Sequence, residues 1–169
     1  MGDKNKSVIF LDIDGVLNSK FWDSGHQVEI SSGKYVDDEA VRLFATLVKE
    51  TGAAVILHSG WRFWFDGEMK PTRPEAKYFV DMMAREGIGI AGVTPDLTTE
   101  EIRKTKKFSL VKAEEILKWL QENKDCTNWL VLDDLDLHNS EIEAHQVRTD
   151  PEVGITKEDV DRAKLILLK

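Results

Sequence analysis

Residues 7–18, Ser-Val-Ile-Phe-Leu-Asp-Ile-Asp-Gly-Val-Leu-Asn, run from an apolar stretch straight into two carboxylates, Asp12 and Asp14, with Gly15 behind them. At strand period, residues two apart share a face, and a turn enforced by the glycine can aim both acids into one site. Asp133 and Asp134 close a second apolar run, and His58 and Ser59 close a third. Carboxylates crowded at one edge raise one another's pKa and destabilise the fold. A hard divalent cation relieves that repulsion, and an oxygen-rich site with few dedicated ligands suits Mg2+. One carboxylate can then act as nucleophile and its neighbour as proton donor to a leaving group, the chemistry of phosphoryl transfer through an acyl phosphate. The metal offsets the repulsion between an anionic phosphate and an anionic aspartate.

Acids at strand ends need a sheet to hold them. Residues 7–12, 53–59, 88–93 and 127–134 read as buried strands, and 37–51, 72–87, 109–123 and a segment from about Thr156 as helices. Asp37 is placed to cap the first helix. Thr72 and Glu75 have capping-box spacing, and Gly87 is placed to end that helix. On 109–123 the apolar face is Leu110, Ala113, Ile116, Leu117 and Leu120; in the last helix Asp159 stands three residues after Thr156. Apolar strands alternating with helices predict a Rossmann-like three-layer α/β sandwich with a mainly parallel central sheet. Such sheets bind ligands at the carboxyl ends of their strands. The least regular stretches are 18–36, 60–71 and 92–107.

The 169 residues, 41% apolar and 32% charged, fit one soluble globular domain over 1–169, with 1–6 as a disordered leader. A net charge of −8 argues against a general nucleic-acid coat but leaves room for a local basic site. The single cysteine, Cys126, allows no intramolecular disulfide and fits a reducing, cytoplasmic setting. No apolar run approaches membrane-spanning length. The spacing of His26, His138 and His145 is not that of a zinc site. Trp22, Trp61 and Trp64 can form a stacking platform for a base, with Arg62 on a phosphate; the competing reading is that these rings cover the core.

The chain resembles the haloacid dehalogenase-like (HAD) phosphohydrolase superfamily. "FLDIDGVLN" is similar to its first motif, Ser59 in "VILHSGWR" to the second, Lys112 to the third, and "VLDD" to the acidic fourth. The resemblance implies a phospho-aspartate mechanism. Asp12 is then the nucleophile and a metal ligand, and Asp14 the general acid/base, binding metal through its backbone carbonyl. Ser59 bonds phosphoryl oxygens and Lys112 neutralises the intermediate. Asp134 is the direct ligand, with Asp133 holding Lys112 or a metal-bound water. Ser59, Gly60, Trp61 and Arg62 are the expected substrate-binding residues.

A narrower resemblance, carried also by "KAEEILKWL" and "HQVRTDPEVGIT", is to the small capless HAD domains of Swiss Army Knife RNA repair proteins. The chain departs from their usual second motif at His58 and Gly60, so positions 58 and 59 both stand as phosphate-binding candidates. A cap domain does not fit in 18–36, and 60–107 is occupied by core elements, so no large cap is expected. An open site suits a phosphorylated RNA or DNA end; a nucleotide or small-metabolite phosphate is the alternative substrate. A catalytically silent metal- or phosphate-binding partner module is the alternative of another class. No stable protein partner is inferable.

Overall fold

The computed structural model describes residues 6–19, 27–31 and 34–168. Five parallel strands form one sheet, in spatial order β5 (Gly92–Val93), β4 (Ala54–Leu57), β1 (Lys6–Leu11), β6 (Cys126–Asp133) and β7 (Gln146–Arg148). A separate antiparallel hairpin, β2 (Gln27–Ser31) and β3 (Lys34–Asp37), follows β1. The helices are α1 (Asp38–Thr51), α2 (Pro74–Arg85), α3 (Glu100–Thr105), α4 (Phe108–Glu122), α5 (Ser140–Glu143) and α6 (Lys157–Leu167), with a 3₁₀ turn over Gly60–Trp64. No large cap is present among the described residues, as the sequence predicts. No helix among them is long and apolar enough to cross a membrane.

Two apolar cores cover the two faces of the sheet. Ile9 and Leu11 of β1 pack with Val55, Leu57, Leu130 and Leu132 against α1, α2 and α6. Val8 and Phe10 pack with Ile56, Trp129 and Val131 against α4 and α5. Side chains alternate between faces along each strand, so this division fixes where the strand-end polar residues point. One step beyond Phe10, Ile56 and Val131 on the same face come Asp12, His58 and Asp133. The register pairs Leu11 with both Leu57 and Leu132. The ladder then continues past the strands, His58 N–H donating to Leu11 O at 2.9 Å and Asp12 N–H to Leu132 O at 3.0 Å. Asp12, His58 and Asp133 therefore stand side by side on the face that α4 covers.

The caps of α1 and α6 form as their sequences predict. The Asp37 side chain accepts from Glu39 and Ala40 N–H, and Thr156 and Asp159 make a reciprocal capping box. The Thr72–Glu75 box does not form. Pro74 takes the first helical position, which suits its fixed φ, and drives Arg73 into the extended conformation at the N-cap. Residues 88–93 yield only the two-residue β5. Helix α4 buries Ala113 and Ile116 of the expected face and packs Leu117 and Leu120 against the core, but Leu110 is exposed, and Glu115 is buried as well. Lys6, expected in the leader, pairs with Cys126 as the first residue of β1. Residues 1–5, Trp22 and His26 lie outside the described residues.

Candidate active site

A cleft of about 600 Å³ opens at the carboxyl edge of β1, β4 and β6. The 3₁₀ turn contributes Ser59, Gly60, Arg62 and Phe63 to one wall, and α4 contributes Phe108, Val111, Lys112 and Glu115 to the other. The α4 residues are spaced i, i+3, i+4, i+7, one face of a helix. Asp12, Asp14 and Asp134 line the same cleft.

Lys112 reaches from α4 to the strand ends. Its Nζ donates to Asp133 Oδ2 at 2.9 Å and lies 3.5 Å from Asp12 Oδ1. Asp133 is fully buried and committed on both oxygens: Oδ1 accepts from Leu135 N–H at 3.0 Å, and Oδ2 faces Lys112 and, at 3.2 Å, His58 Nε2. The His58 contact is close but makes no hydrogen bond. Burial opposes the charge on Asp133, but His58 and Lys112 outweigh it and hold the carboxyl well below its usual range. Burial pushes His58 toward the neutral imidazole. Burial also works against Lys112, yet Asp12 and Asp133 keep its pKa above the ordinary value.

The remaining acids are in excess. Burial, joined by Asp133, Asp134 and Asp14, pushes Asp12 well above the carboxylate range despite Lys112. Burial and Asp133 push Asp134 up to about 6. Asp12, Asp133 and Asp134 each offer an oxygen within 4.8 Å of the others. At that separation each ionised pair repels by on the order of 3 kcal/mol at an effective dielectric of about 20. One lysine against three carboxylates leaves two negative charges, and an all-oxygen cluster of this charge fits a hard divalent cation.

The turn after β1 brings the last acids in. Gly15 has φ +85°, and a Cβ there would lie 2.6 Å from Asp134 Cγ. Glycine is therefore required both for the backbone conformation and for the close approach of Asp134. Asn18 fastens the turn, its Oδ1 accepting from Gly15 N–H and its Nδ2 donating to Asp14 Oδ1, both at 2.9 Å. Thr149 Oγ1, from the segment after β7, donates to Gly15 O at 2.6 Å. Asp14 is exposed at the cleft.

Of the second-motif candidates, Ser59 lines the cleft, whereas His58 is buried behind it against Asp133. Ser59 Oγ accepts from Trp61 N–H at 3.1 Å. That bond uses a lone pair and leaves the hydroxyl proton to donate.

Of the expected substrate contacts, Ser59, Gly60 and Arg62 line the cleft and Trp61 does not. Trp61 is 3% exposed, stacks on Trp64 and meets Phe79 edge-on, so it belongs to the core. Arg62 lines the cleft, but its guanidinium is buried. Nη2 donates to Glu115 Oε2 at 2.8 Å, and Nη1 to the carbonyls of Ser59 and His58 at 3.3 and 3.5 Å. The exposed aromatic rings of the cleft are instead Phe63 and Phe108. Phe63 belongs to the aromatic run 61–65, whereas no sequence motif marks Asn18, Thr149, Glu115 or Phe108 as site residues. The helical spacing of Phe108 and Glu115 about Lys112 was the one signal that could have found two of them. Burial pushes the Cys126 thiol up to about 11, so it stays protonated at neutral pH and is no nucleophile.

A search of curated proteins finds no match to this chain. A family profile described as "HAD domain in Swiss Army Knife RNA repair proteins" matches residues 8–160, from β1 into α6 and across every element that builds the cleft. The chain therefore belongs to this HAD-domain family, within the HAD-type phosphohydrolases.

Proposed function

We propose that this chain is a Mg2+-dependent phosphomonoesterase that works through a phospho-aspartate on Asp12 and acts on phosphorylated ends of single-stranded nucleic acid. The observation that carries the reading is Lys112 bridging Asp12 and Asp133 at the cleft floor, with the Ser59 hydroxyl on the wall opposite α4. Asp12, Asp134 and the backbone carbonyl of Asp14 would hold the ion, Asp133 being already engaged by Lys112, Leu135 N–H and His58. When bound, Mg2+ supplies the positive charge that keeps Asp12 ionised and draws in the phosphate.

An Asp12 carboxylate oxygen attacks phosphorus; its bond to phosphorus forms as the ester P–O bond breaks. Asp14, oriented by Asn18, gives its proton to the departing oxygen. Ser59 donates to a phosphoryl oxygen, and Lys112 balances the charge that Asp12 and the phosphoryl group carry together. Water then attacks phosphorus, giving its proton to Asp14. The bond to Asp12 breaks and phosphate leaves.

The leaving-group side of the cleft supports the nucleic-acid reading. Of the eight large apolar side chains exposed among the described residues, Phe63, Phe108 and Leu135 line this cleft. Clustered exposed apolar groups mark a binding surface, and aromatic faces accept unstacked bases. Lys106 and Lys107, beside Phe108 in the chain, are exposed and make no ion pair among the described residues, a place for a further phosphate. The family's description names RNA repair. The single cysteine supports a reducing, cytoplasmic setting.

The test is phosphate release from a panel of end-phosphorylated RNA and DNA, mononucleotides, phosphopeptides and sugar phosphates, with and without Mg2+, for wild type and Asp12→Asn. Metal-dependent release that is greatest on oligonucleotide ends and lost in the variant supports the reading. Release unaffected by Asp12→Asn overturns the mechanism, and preference for another panel member overturns the substrate.

A further inference from the structure

We propose that the buried Arg62–Glu115 ion pair is a strut that sets the gap between the Ser59 hydroxyl and the Lys112 ammonium, which makes both members positioning residues for phosphoryl transfer. The inference rests on the phosphohydrolase reading above and adds two residues to it.

The geometry joins three segments at one point. Arg62 leaves the 3₁₀ turn and gathers the carbonyls of His58 and Ser59, the residues that lead from β4 into the turn. Its other nitrogen bonds Glu115 at 2.8 Å. Glu115 lies one turn beyond Lys112 on the cleft-facing stripe of α4, and its Oε2 also accepts from Leu97 N–H at 3.0 Å. The second-motif turn, the segment before α3 and the helix bearing Lys112 are thus tied through one carboxylate. The phosphoryl group must fit between the first and the last of these.

Stability alone is a poor reason for this arrangement. Arg62 is 8% exposed and Glu115 1% exposed, so both charges are withdrawn from water. Burying such a pair costs about as much as its attraction returns, and an apolar pair of similar volume is often as stable or more so. An apolar pair would fill the space, but it would hold neither the two carbonyls nor the Leu97 N–H. What the ion pair adds is a fixed distance between two walls that each carry a phosphate-binding group. The alternative role for Arg62, direct contact with a phosphate, would require it to abandon a partner that has no other cation within 4.0 Å among the described residues.

The test compares Arg62→Met, Glu115→Met, the double variant and Glu115→Gln by melting temperature, kcat and KM on a phosphorylated oligonucleotide, and affinity for inorganic phosphate by calorimetry with Mg2+. Each single Met variant breaks the buried pair, leaving Glu115 without a cation or Arg62 with only Asp96 at 3.9 Å, and melts lower. The double variant recovers the melting temperature, while its kcat stays down by on the order of 10²-fold, the cost of roughly an ångström of misplacement. Its affinity for inorganic phosphate falls by about tenfold. A double variant that recovers wild-type kcat and phosphate affinity overturns the proposal and leaves the pair a packing feature. If the double variant does not fold, Glu115→Gln decides. It keeps an acceptor for Leu97 and loses the charge that holds Arg62, which Asp96 at 3.9 Å still faces, so it melts between Glu115→Met and wild type while its kcat falls about five- to tenfold; wild-type kcat there overturns the strut. Wild-type protein that releases no phosphate overturns the function, and the phosphate affinities then test the strut separately.

Discussion

Lys112 Nζ stands 2.9 Å from Asp133 Oδ2 and 3.5 Å from Asp12 Oδ1, so one ammonium from α4 joins the ends of two neighbouring strands. Replacing it removes the sole cation contacting either acid among the described residues apart from His58, which burial keeps neutral. For Lys112→Met, kcat is expected to fall about 10²- to 10³-fold, the range for one lost charge-stabilising donor. Lys112→Arg is expected to stay near the Met level, because a planar fork does not replace a compact ammonium between two acids. Steady-state kinetics on both variants decide this; an Arg variant close to wild type would show that charge alone suffices.

Without metal, the acids at the strand edge make stability depend on pH. Asp134 is raised to about 6, and burial raises Asp12 well above its unfolded value. In the window between the unfolded value, about 4, and the folded values, the folded state binds more protons than the unfolded one. Stability from these two groups is therefore greatest at acid pH and falls as pH rises through 6. Asp133, lowered, has the opposite sign: its contribution is present above about pH 4 and is lost only on stronger acidification. Melting temperatures in chelator should drop between pH 5 and 7.5 by a few degrees. Saturating Mg2+ should raise them by roughly 5–10 °C at pH 7.5 and by less at pH 5. An equal effect of Mg2+ at both pH values would contradict a site built on Asp12 and Asp134.

Gly15→Ala tests the approach of Asp134. The new Cβ would lie 2.6 Å from Asp134 Cγ in a backbone at φ +85°. Asp134 or the Asp14 turn must shift, so Mg2+ affinity is expected to weaken at least about tenfold, with a stability loss of about 1 kcal/mol or more. Calorimetric titration with Mg2+ measures the first and thermal melting the second.

Phe63→Ala and Phe108→Ala test the leaving-group wall. Base stacking on one aromatic ring contributes about 1–3 kcal/mol, so each variant should lower the ratio of kcat/KM for a single-stranded oligonucleotide end to that for glycerol phosphate by about five- to hundredfold. An unchanged ratio in both variants would move the substrate toward a small metabolite.

Much of the site is legible in the sequence because it lies where strongly patterned elements end. β1 and β6 carry unbroken apolar runs, Val8–Leu11 and Trp129–Leu132, as strands covered on both faces do, and the acids at the ends of those runs stand at the sheet's edge. The same alternation that buries Phe10 and Val131 against α4 delivers Asp12 and Asp133 to Lys112. What the sequence hides is set by partners far along the chain. Arg62 reads as a phosphate ligand, and nothing near it in the chain tells that Glu115, 53 residues on, bonds its guanidinium. Leu110 reads as core by periodicity, yet it is exposed in the first turn of α4, and Glu115 is buried at the edge of the cleft beside the apolar face that the sequence predicts. Trp61 is ambiguous by type alone; packing against Phe79 of α2 decides for the core. β5 and β7, of two and three residues, are too short for any period to show.

The central claim is that Asp12 carries the phosphoryl group, and trapping that adduct tests it most directly. Rapid acid quench of wild-type protein turning over a 32P-labelled phosphorylated oligonucleotide with Mg2+ should leave label on the protein. That label should be hydroxylamine-sensitive, as an acyl phosphate is, and should map to the peptide containing Asp12. Asp12→Asn should show neither label nor phosphate release. Burst-free release from wild type with no protein-bound label, or release that persists in Asp12→Asn, would contradict the account.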